Sequence, residues 1–220
     1  MADGKLIICL GRESGSGGRK IGMMLADRLG VNCYARELIT VAAENSGLCD
    51  EIIAMHDARP MRSFLYSLVM DSYAMGYHAQ MMDMPIDQKV FLAQNEAIRK
   101  LAAESGCVFV GRCADYVLQD DPDMISVFIT GDEEDKLKTV METHQLDRQK
   151  AKEYIQKTDR RRSDYYNSYS SRKWGLASSY DLCLNSSVLG FEGTVEAILA
   201  FARLKKQGRK DEKLTPEEAE

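Results

Sequence analysis

Residues 10–22 read Leu-Gly-Arg-Glu-Ser-Gly-Ser-Gly-Gly-Arg-Lys-Ile-Gly, directly after a short apolar run and before a helical pattern over 21–29. Gly15, Gly17 and Gly18 let the backbone turn its N–H groups inward around an anion, and the helix that follows points its positive end at the same place. Ser14 and Ser16 add hydroxyls, and Arg19 and Lys20 add charge. The pattern implies a phosphate-binding loop made of Ser14, Gly15, Ser16, Gly17, Gly18, Arg19 and Lys20. An ordinary glycine-rich strand-to-helix turn is the plainer alternative, but such turns seldom collect so many glycines, serines and cations.

Spacing separates the kinds of loop. A G-x-G-x-x-G pattern begun at Gly15 needs glycine at position 20, where Lys20 stands, so the dinucleotide reading weakens. G-x-x-x-x-G-K-[ST] fits better, yet it puts Arg12 where the first glycine belongs and Gly18 where the lysine belongs. The glycines are present and the usual cation is absent. Arg19 or Lys20 must swing in to replace that cation; otherwise a phosphoryl-transfer site loses orders of magnitude in rate.

Two further constellations bear on anions. Gly111-Arg112 follows the apolar run Cys107-Val-Phe-Val110, at the strand edge where open α/β sheets bind ligands. A guanidinium there can grip a phosphate through two parallel hydrogen bonds. Asp115, three residues on, is a further candidate substrate-binding residue that would orient Arg112, and the plainer alternative is a surface arginine paired with Asp115. From Lys157 to Lys173, six basic residues (157, 160, 161, 162, 172, 173) face two acidic ones (159, 164) in a chain whose net charge is −5. A reversal of field on that scale attracts anions and reads as a basic lid. A solvated basic helix face is the plainer reading. Tyr165 and Tyr169 share a face at i,i+4, either to stack on a base or to pack the lid.

The elements that must position these residues are legible in outline. Leu6-Ile-Ile-Cys-Leu10, Cys107-Val-Phe-Val110, Ile125-Ser-Val-Phe-Ile129 and Asp181-Leu-Cys-Leu-Asn185 read as buried strands, with a weaker one at 33–35. Long helical stretches separate them, so the fold class is α/β, a parallel sheet flanked by helices. Helical spacing covers 87–105 and runs again from 132 to 162. About 95 residues lie between the first two main strands, too many for one crossover helix. An inserted helical lobe is therefore expected over 45–88, with seven of the twelve methionines at 55, 61, 70, 75, 81, 82 and 84. Such a lobe is a satellite core, a mobile acceptor lobe or a contact for homo-oligomerisation. One domain of residues 1–205 with a lid over 147–175 follows, and the polar tail 206–220 is expected to fray.

Composition excludes other classes. A net charge of −5 argues against a nucleic-acid binder. The run 6–10 is too short for a signal-peptide core or a membrane span, which makes a cytoplasmic protein the expectation. Six scattered cysteines without C-x-x-C spacing, and three histidines without ligand spacing, imply no metal site. Cys9, Cys107 and Cys183 lie in apolar runs and read as small core residues.

The loop at 11–19 resembles the variant loop of the cytidylate kinase-like family, a branch of the P-loop nucleoside monophosphate kinases in which the loop lysine is commonly missing. The resemblance continues through Tyr34-Ala-Arg-Glu-Leu-Ile39, Val108-Phe-Val-Gly-Arg-Cys-Ala-Asp115, Asp159-Arg-Arg-Arg-Ser-Asp-Tyr-Tyr166, Trp174-Gly175 and Tyr180-Asp-Leu-Cys-Leu-Asn185. It implies a P-loop kinase fold that uses ATP and Mg²⁺ and phosphorylates a nucleoside monophosphate, with CMP or dCMP as acceptor. By the resemblance, Arg112 meets the acceptor phosphate, Asp159 and Arg162 the acceptor sugar and phosphate, and Arg160 the transferring group. Lys136 and Lys138 stand where related kinases tend to have arginine. Magnesium is expected through the donor phosphates, with Ser14 and Ser16 as candidate hydroxyl contacts and no protein ligand assigned. Gly18 keeps two alternatives open: a nucleotide-binding sensor that has lost catalysis, and a kinase for another small molecule.

Overall fold

The computed structural model describes residues 5–35, 38 and 85–211. The methionine-rich stretch 55–84 and the proposed lobe up to residue 84 lie outside the described residues. Strands β1 (Ile7–Arg12), β2 (Asn32–Tyr34), β3 (Cys107–Val110), β4 (Met124–Thr130) and β5 (Leu182–Asn185) form one sheet in the order β2-β3-β1-β4-β5. All neighbours pair in parallel. The helices are α1 (Gly18–Leu29), α2 (Ile86–Glu104), α3 (Ala114–Val117), α4 (Glu133–His144), α5 (Arg148–Tyr169) and α6 (Ser186–Asp211), the last kinked at Gly190.

Successive residues of a strand point to opposite faces, and here both faces are covered. Ile7, Cys9, Cys107 and Phe109 pack with Val90, Ala93, Ala97 and Ile98 of α2. Ile8, Leu10, Val108, Val110, Val127 and Ile129 pack with Ile21 and Leu25 of α1 and with Val195 and Ile198 of α6. Because both faces are dry, the strands read as near-continuous apolar runs. The parallel sheet brings the carboxyl ends of β1, β3 and β4 to one edge, where the glycine loop, Gly111-Arg112 and the start of α4 all emerge.

Three expectations change. The helical spacing from 132 to 162 covers two helices, broken where Gln145 adopts a left-handed conformation (φ 56°) and Asp147 caps α5 by accepting from the Lys150 N–H at 2.9 Å. Helix α6 continues to Asp211, so residues 206–211 of the tail are helical, and the Lys205 ammonium ties the helix to the Met124 carbonyl and the Asp181 carboxylate. Cys183 is exposed, because strand alternation turns it to the face opposite Leu182 and Leu184, which pack against the core.

Candidate active site

The loop between β1 and α1 is held from three directions. The Glu13 carboxylate accepts from Thr130 Oγ1 at 2.5 Å, from the Lys136 ammonium at 2.8 Å and from the Gly131 N–H at 3.4 Å. These contacts bind it to the end of β4 and to α4. Ser186, at the start of α6, donates its hydroxyl to the Ser16 carbonyl at 2.8 Å and to the Thr130 carbonyl at 3.0 Å. From α5, Asp159 accepts from the Ser14 N–H at 2.7 Å. The charge-assisted members of this set are the strong ones. Lys136 therefore fastens the loop through Glu13.

Gly15 and Gly17 have positive φ, at 84° and 75°, a conformation that favours glycine. The missing Cβ atoms, however, face protein. A Cβ at Gly15 would lie 2.5 Å from the Lys136 carbonyl oxygen, and one at Gly17 would lie 2.2 Å from the Phe191 ring. Each of these glycines therefore also seats a neighbouring element, Gly15 against α4 and Gly17 against α6. Gly17 is the N-cap of α1, where helix ends leave backbone donors unpaired.

Gly111, Arg112 and Cys113 all take the left-handed conformation, with φ of 84°, 62° and 55°. For the two non-glycine residues this costs on the order of 1–2 kcal/mol each, a strain typical of sites that over-determine one side chain. The turn sets Arg112 at the carboxyl edge of β3. Sequence patterning missed the turn, and its only trace was the glycine before Arg112. Asp115, the alternative partner for Arg112, is engaged by Tyr166 and Arg172. It is buried beneath the site, accepts from the Tyr166 hydroxyl at 2.6 Å and has Arg172 at 3.9 Å. Burial raises its carboxyl above the ordinary value of 3.8, opposed by the Tyr166 hydrogen bond.

On α5, Asp159 and Arg162 share a face at i,i+3. Arg162 donates to the Arg12 carbonyl at 3.2 Å and to Asp159 at 3.4 Å. Burial lowers the pKa of the Arg162 guanidinium, with Asp159 opposing and the Arg161 and Arg112 charges adding to the cost. Burial likewise raises the Asp159 carboxyl, against the Ser14 N–H and the Arg162 charge. Arg162 is 26% exposed, so the lid arginine is half-buried and not a free surface charge. Arg160 is 85% exposed and lies 3.9 Å from Asp164, and Arg161 is also exposed, so neither joins Asp159 and Arg162 at the loop.

The remaining sequence candidates separate similarly. Ser14 and Ser16 are buried, and Ser16 donates its hydroxyl to the Glu13 carbonyl at 2.9 Å. Gly18 opens α1, Arg19 is exposed beside it, and the Lys20 ammonium sits 4.9 Å from the Phe191 ring centre. Tyr165 and Tyr169 pack with Phe91, the Tyr169 and Phe91 rings stacking at 3.9 Å, so they build the core beneath the lid. A polar cleft of about 310 Å³ lined by Arg172, Ser179, Asp181 and Lys205 includes none of the loop residues. Among the described residues no group of three or more His, Cys, Asp or Glu is placed to hold a metal, and no helix is long and apolar enough to cross a membrane.

Residues 7–188 match the sequence model of the cytidylate kinase-like family. No curated protein matches the chain. Among solved structures, the chain is similar to an uncharacterized protein from Eubacterium ventriosum ATCC 27560, with 29% identity and a TM-score of 0.68 over 90% of this chain and 99% of that one. It is also similar to the shikimate kinase from Bacteroides thetaiotaomicron, with 11% identity and a TM-score of 0.50 over 90% of this chain and 98% of that one. The latter likeness shows the fold alone.

Proposed function

The chain belongs to the cytidylate kinase-like family, and from that premise we propose that it transfers the γ-phosphoryl group of ATP to a nucleoside monophosphate, with CMP or dCMP as the acceptor. Family and fold support nucleotide-dependent phosphoryl transfer as the class. The observation that carries the reading is convergence. The amino end of α1, with its left-handed glycines, meets Arg112 from the end of β3 and Arg162 from α5 at one sheet edge. Phosphoryl transfer has little covalent chemistry for a protein to perform, so positioning and charge stabilisation dominate.

In this reading the loop N–H groups from Gly15 to Lys20 hold the donor phosphates. Arg112 grips the acceptor phosphate, and Asp159 and Arg162 orient the acceptor from the lid. The bond between the γ-phosphorus and its bridging oxygen breaks, its electron pair leaving with ADP. An oxygen of the acceptor phosphate forms the new bond. The loop supplies backbone donors and cations, and the Ser16 hydroxyl, whose proton goes to the Glu13 carbonyl, keeps lone pairs that could face a Mg²⁺ ion otherwise bound through phosphate oxygens and water. Such an ion would neutralise charge on the transferring group. Small-molecule nucleotides, a cytoplasmic location and a subunit contact through the methionine-rich stretch complete the proposal.

A second reading, a nucleotide sensor without catalysis, is favoured by Gly18 and by the Asp159 carboxylate on the Ser14 N–H. Incubation with ATP, Mg²⁺ and a panel of acceptors separates the two. CDP or dCDP appearing with equimolar ADP supports the kinase. ATP binding without a product from any acceptor supports the sensor, and a different phosphorylated product corrects the acceptor.

A further inference from the structure

Arg12 has no role in the chemistry described so far, yet two glycines on separate elements make room for its side chain. A Cβ at Gly18 would lie 2.5 Å from the Arg12 Cβ and 2.8 Å from its Cγ. A Cβ at Gly111 would lie 2.1 Å from the Arg12 Nη1 and 3.2 Å from its Cζ. The stem of Arg12 therefore fills the space into which a side chain at position 18 would leave the helix. Its guanidinium ends beside the residue that precedes Arg112. Gly111 has a backbone reason of its own, a φ of 84°, but Gly18 has none, because it is not among the positive-φ residues. The Arg12 stem is what excludes a side chain at Gly18.

Position 18 is where P-loop spacing calls for lysine, and position 12 is where it calls for glycine. The two have been exchanged. We propose that Arg12 supplies, from the end of β1, the phosphate-binding cation that Gly18 omits from α1, contacting the transferring phosphoryl group between the loop and Arg112. The inference rests on the kinase reading and deepens it by naming a further catalytic residue. Charge and packing agree with it. Arg12 offers its carbonyl to Arg162, and the Arg112 charge in turn bears on Arg162. Arginines from β1, from the turn after β3 and from α5 thus gather at one edge. Asp159 pairs with one of these arginines, and phosphate accepts the guanidinium fork well. When the bond to the bridging oxygen of ATP breaks and the acceptor oxygen bonds to phosphorus, the non-bridging oxygens carry charge that Arg12 can hold. Neither Arg19, exposed, nor Lys20, seated on Phe191, need swing in.

The test is a reciprocal exchange in the full chain. Arg12→Ala, Arg12→Lys, Arg12→Gly, Gly18→Lys and the double variant Arg12→Gly/Gly18→Lys are compared for MgATP affinity, for CDP formation from ATP and CMP, and for melting temperature. Arg12→Ala should lower kcat by about 100-fold or more, with the KM for CMP nearly unchanged. Arg12→Lys, which keeps the fold's charge without the fork, should lose less. Gly18→Lys alone should be as impaired as Arg12→Ala, because its side chain meets the Arg12 stem. The double variant, which restores G-x-x-x-x-G-K, should recover at least about tenfold over Arg12→Gly. A kcat for folded Arg12→Ala and Arg12→Lys within about threefold of wild type overturns the assignment, as does a double variant no better than Arg12→Gly. Wild type that binds MgATP but phosphorylates no acceptor overturns the kinase reading alone. Arg12 is then judged on MgATP affinity, where a loss of about tenfold in Arg12→Ala supports the site and an unchanged affinity overturns it.

Discussion

Within eleven residues, helix α5 makes two opposite kinds of contact. Its Asp159–Arg162 turn meets the glycine loop through charge: a carboxylate on the Ser14 N–H and a guanidinium on the Arg12 carbonyl. Its Tyr165–Tyr169 turn enters an aromatic cluster with Phe91, Phe128 and Tyr180. The first turn holds partners that a phosphate could compete for, whereas the second holds partners that exclude water. Helix α5 is therefore anchored by aromatic packing at one turn and polar at the turn that faces the loop. The basic run is not uniform either, since Arg162 is half-buried while Arg160 stands in solvent.

The largest expected effect breaks the anchor. Tyr169 is fully buried and stacks on Phe91, so Tyr169→Ala should destabilise the protein by about 3–5 kcal/mol in denaturant or thermal unfolding. A loss below about 1 kcal/mol would mean that the cluster does not hold the lid. Next is the turn that faces the loop. Arg162→Ala should lower phosphoryl transfer by on the order of ~3 kcal/mol, read as kcat/KM. It should also lower stability, unlike an exposed charge, because it leaves the Asp159 carboxylate half-buried with one partner fewer. Lysine at 162 should restore only part of the rate.

A smaller effect concerns the buried carboxylate that the Tyr166 hydroxyl of α5 meets. Asp115 is raised by burial in the folded state. Its contribution to stability is therefore present below the ordinary value of 3.8 and is lost as pH rises through the raised folded value. Asp115→Asn, which still accepts from Tyr166, should gain stability relative to wild type as pH climbs from 3.8 toward neutrality. Parallel unfolding curves at every pH would sink this account. The smallest effect is the control. Arg161→Ala, on the exposed face about 100° from Arg160 and Arg162, should leave rate and melting temperature near wild type. Equal losses at 161 and 162 would show that the run acts as diffuse charge.

Legibility in the sequence follows the distance over which each contact acts. The four main strands stand out because burial on both faces demands continuous apolar runs, and the glycine loop because anion geometry demands its residue types. The i,i+3 pairing of Asp159 with Arg162 follows from helical period alone. Cys183 was misplaced because an apolar run does not say which face of its strand the core covers. The surroundings of Asp115 were not legible, because its partners come from residues 166 and 172 and the left-handed turn 111–113 is not marked by any periodicity.

By itself, then, the sequence determined the α/β class, the parallel strands, the anion loop and the missing lysine, all of them consequences of local period, composition and spacing. Only the tertiary structure decided how the loop is fastened and what fills the lysine's place. The Ser14–Asp159 hydrogen bond spans 145 residues and the Glu13–Lys136 pair spans 123. Arg12 meets Gly111 only because β1 and β3 are neighbours in the sheet. Contacts of that range depend on strand order and helix packing, which residue spacing along one chain does not encode.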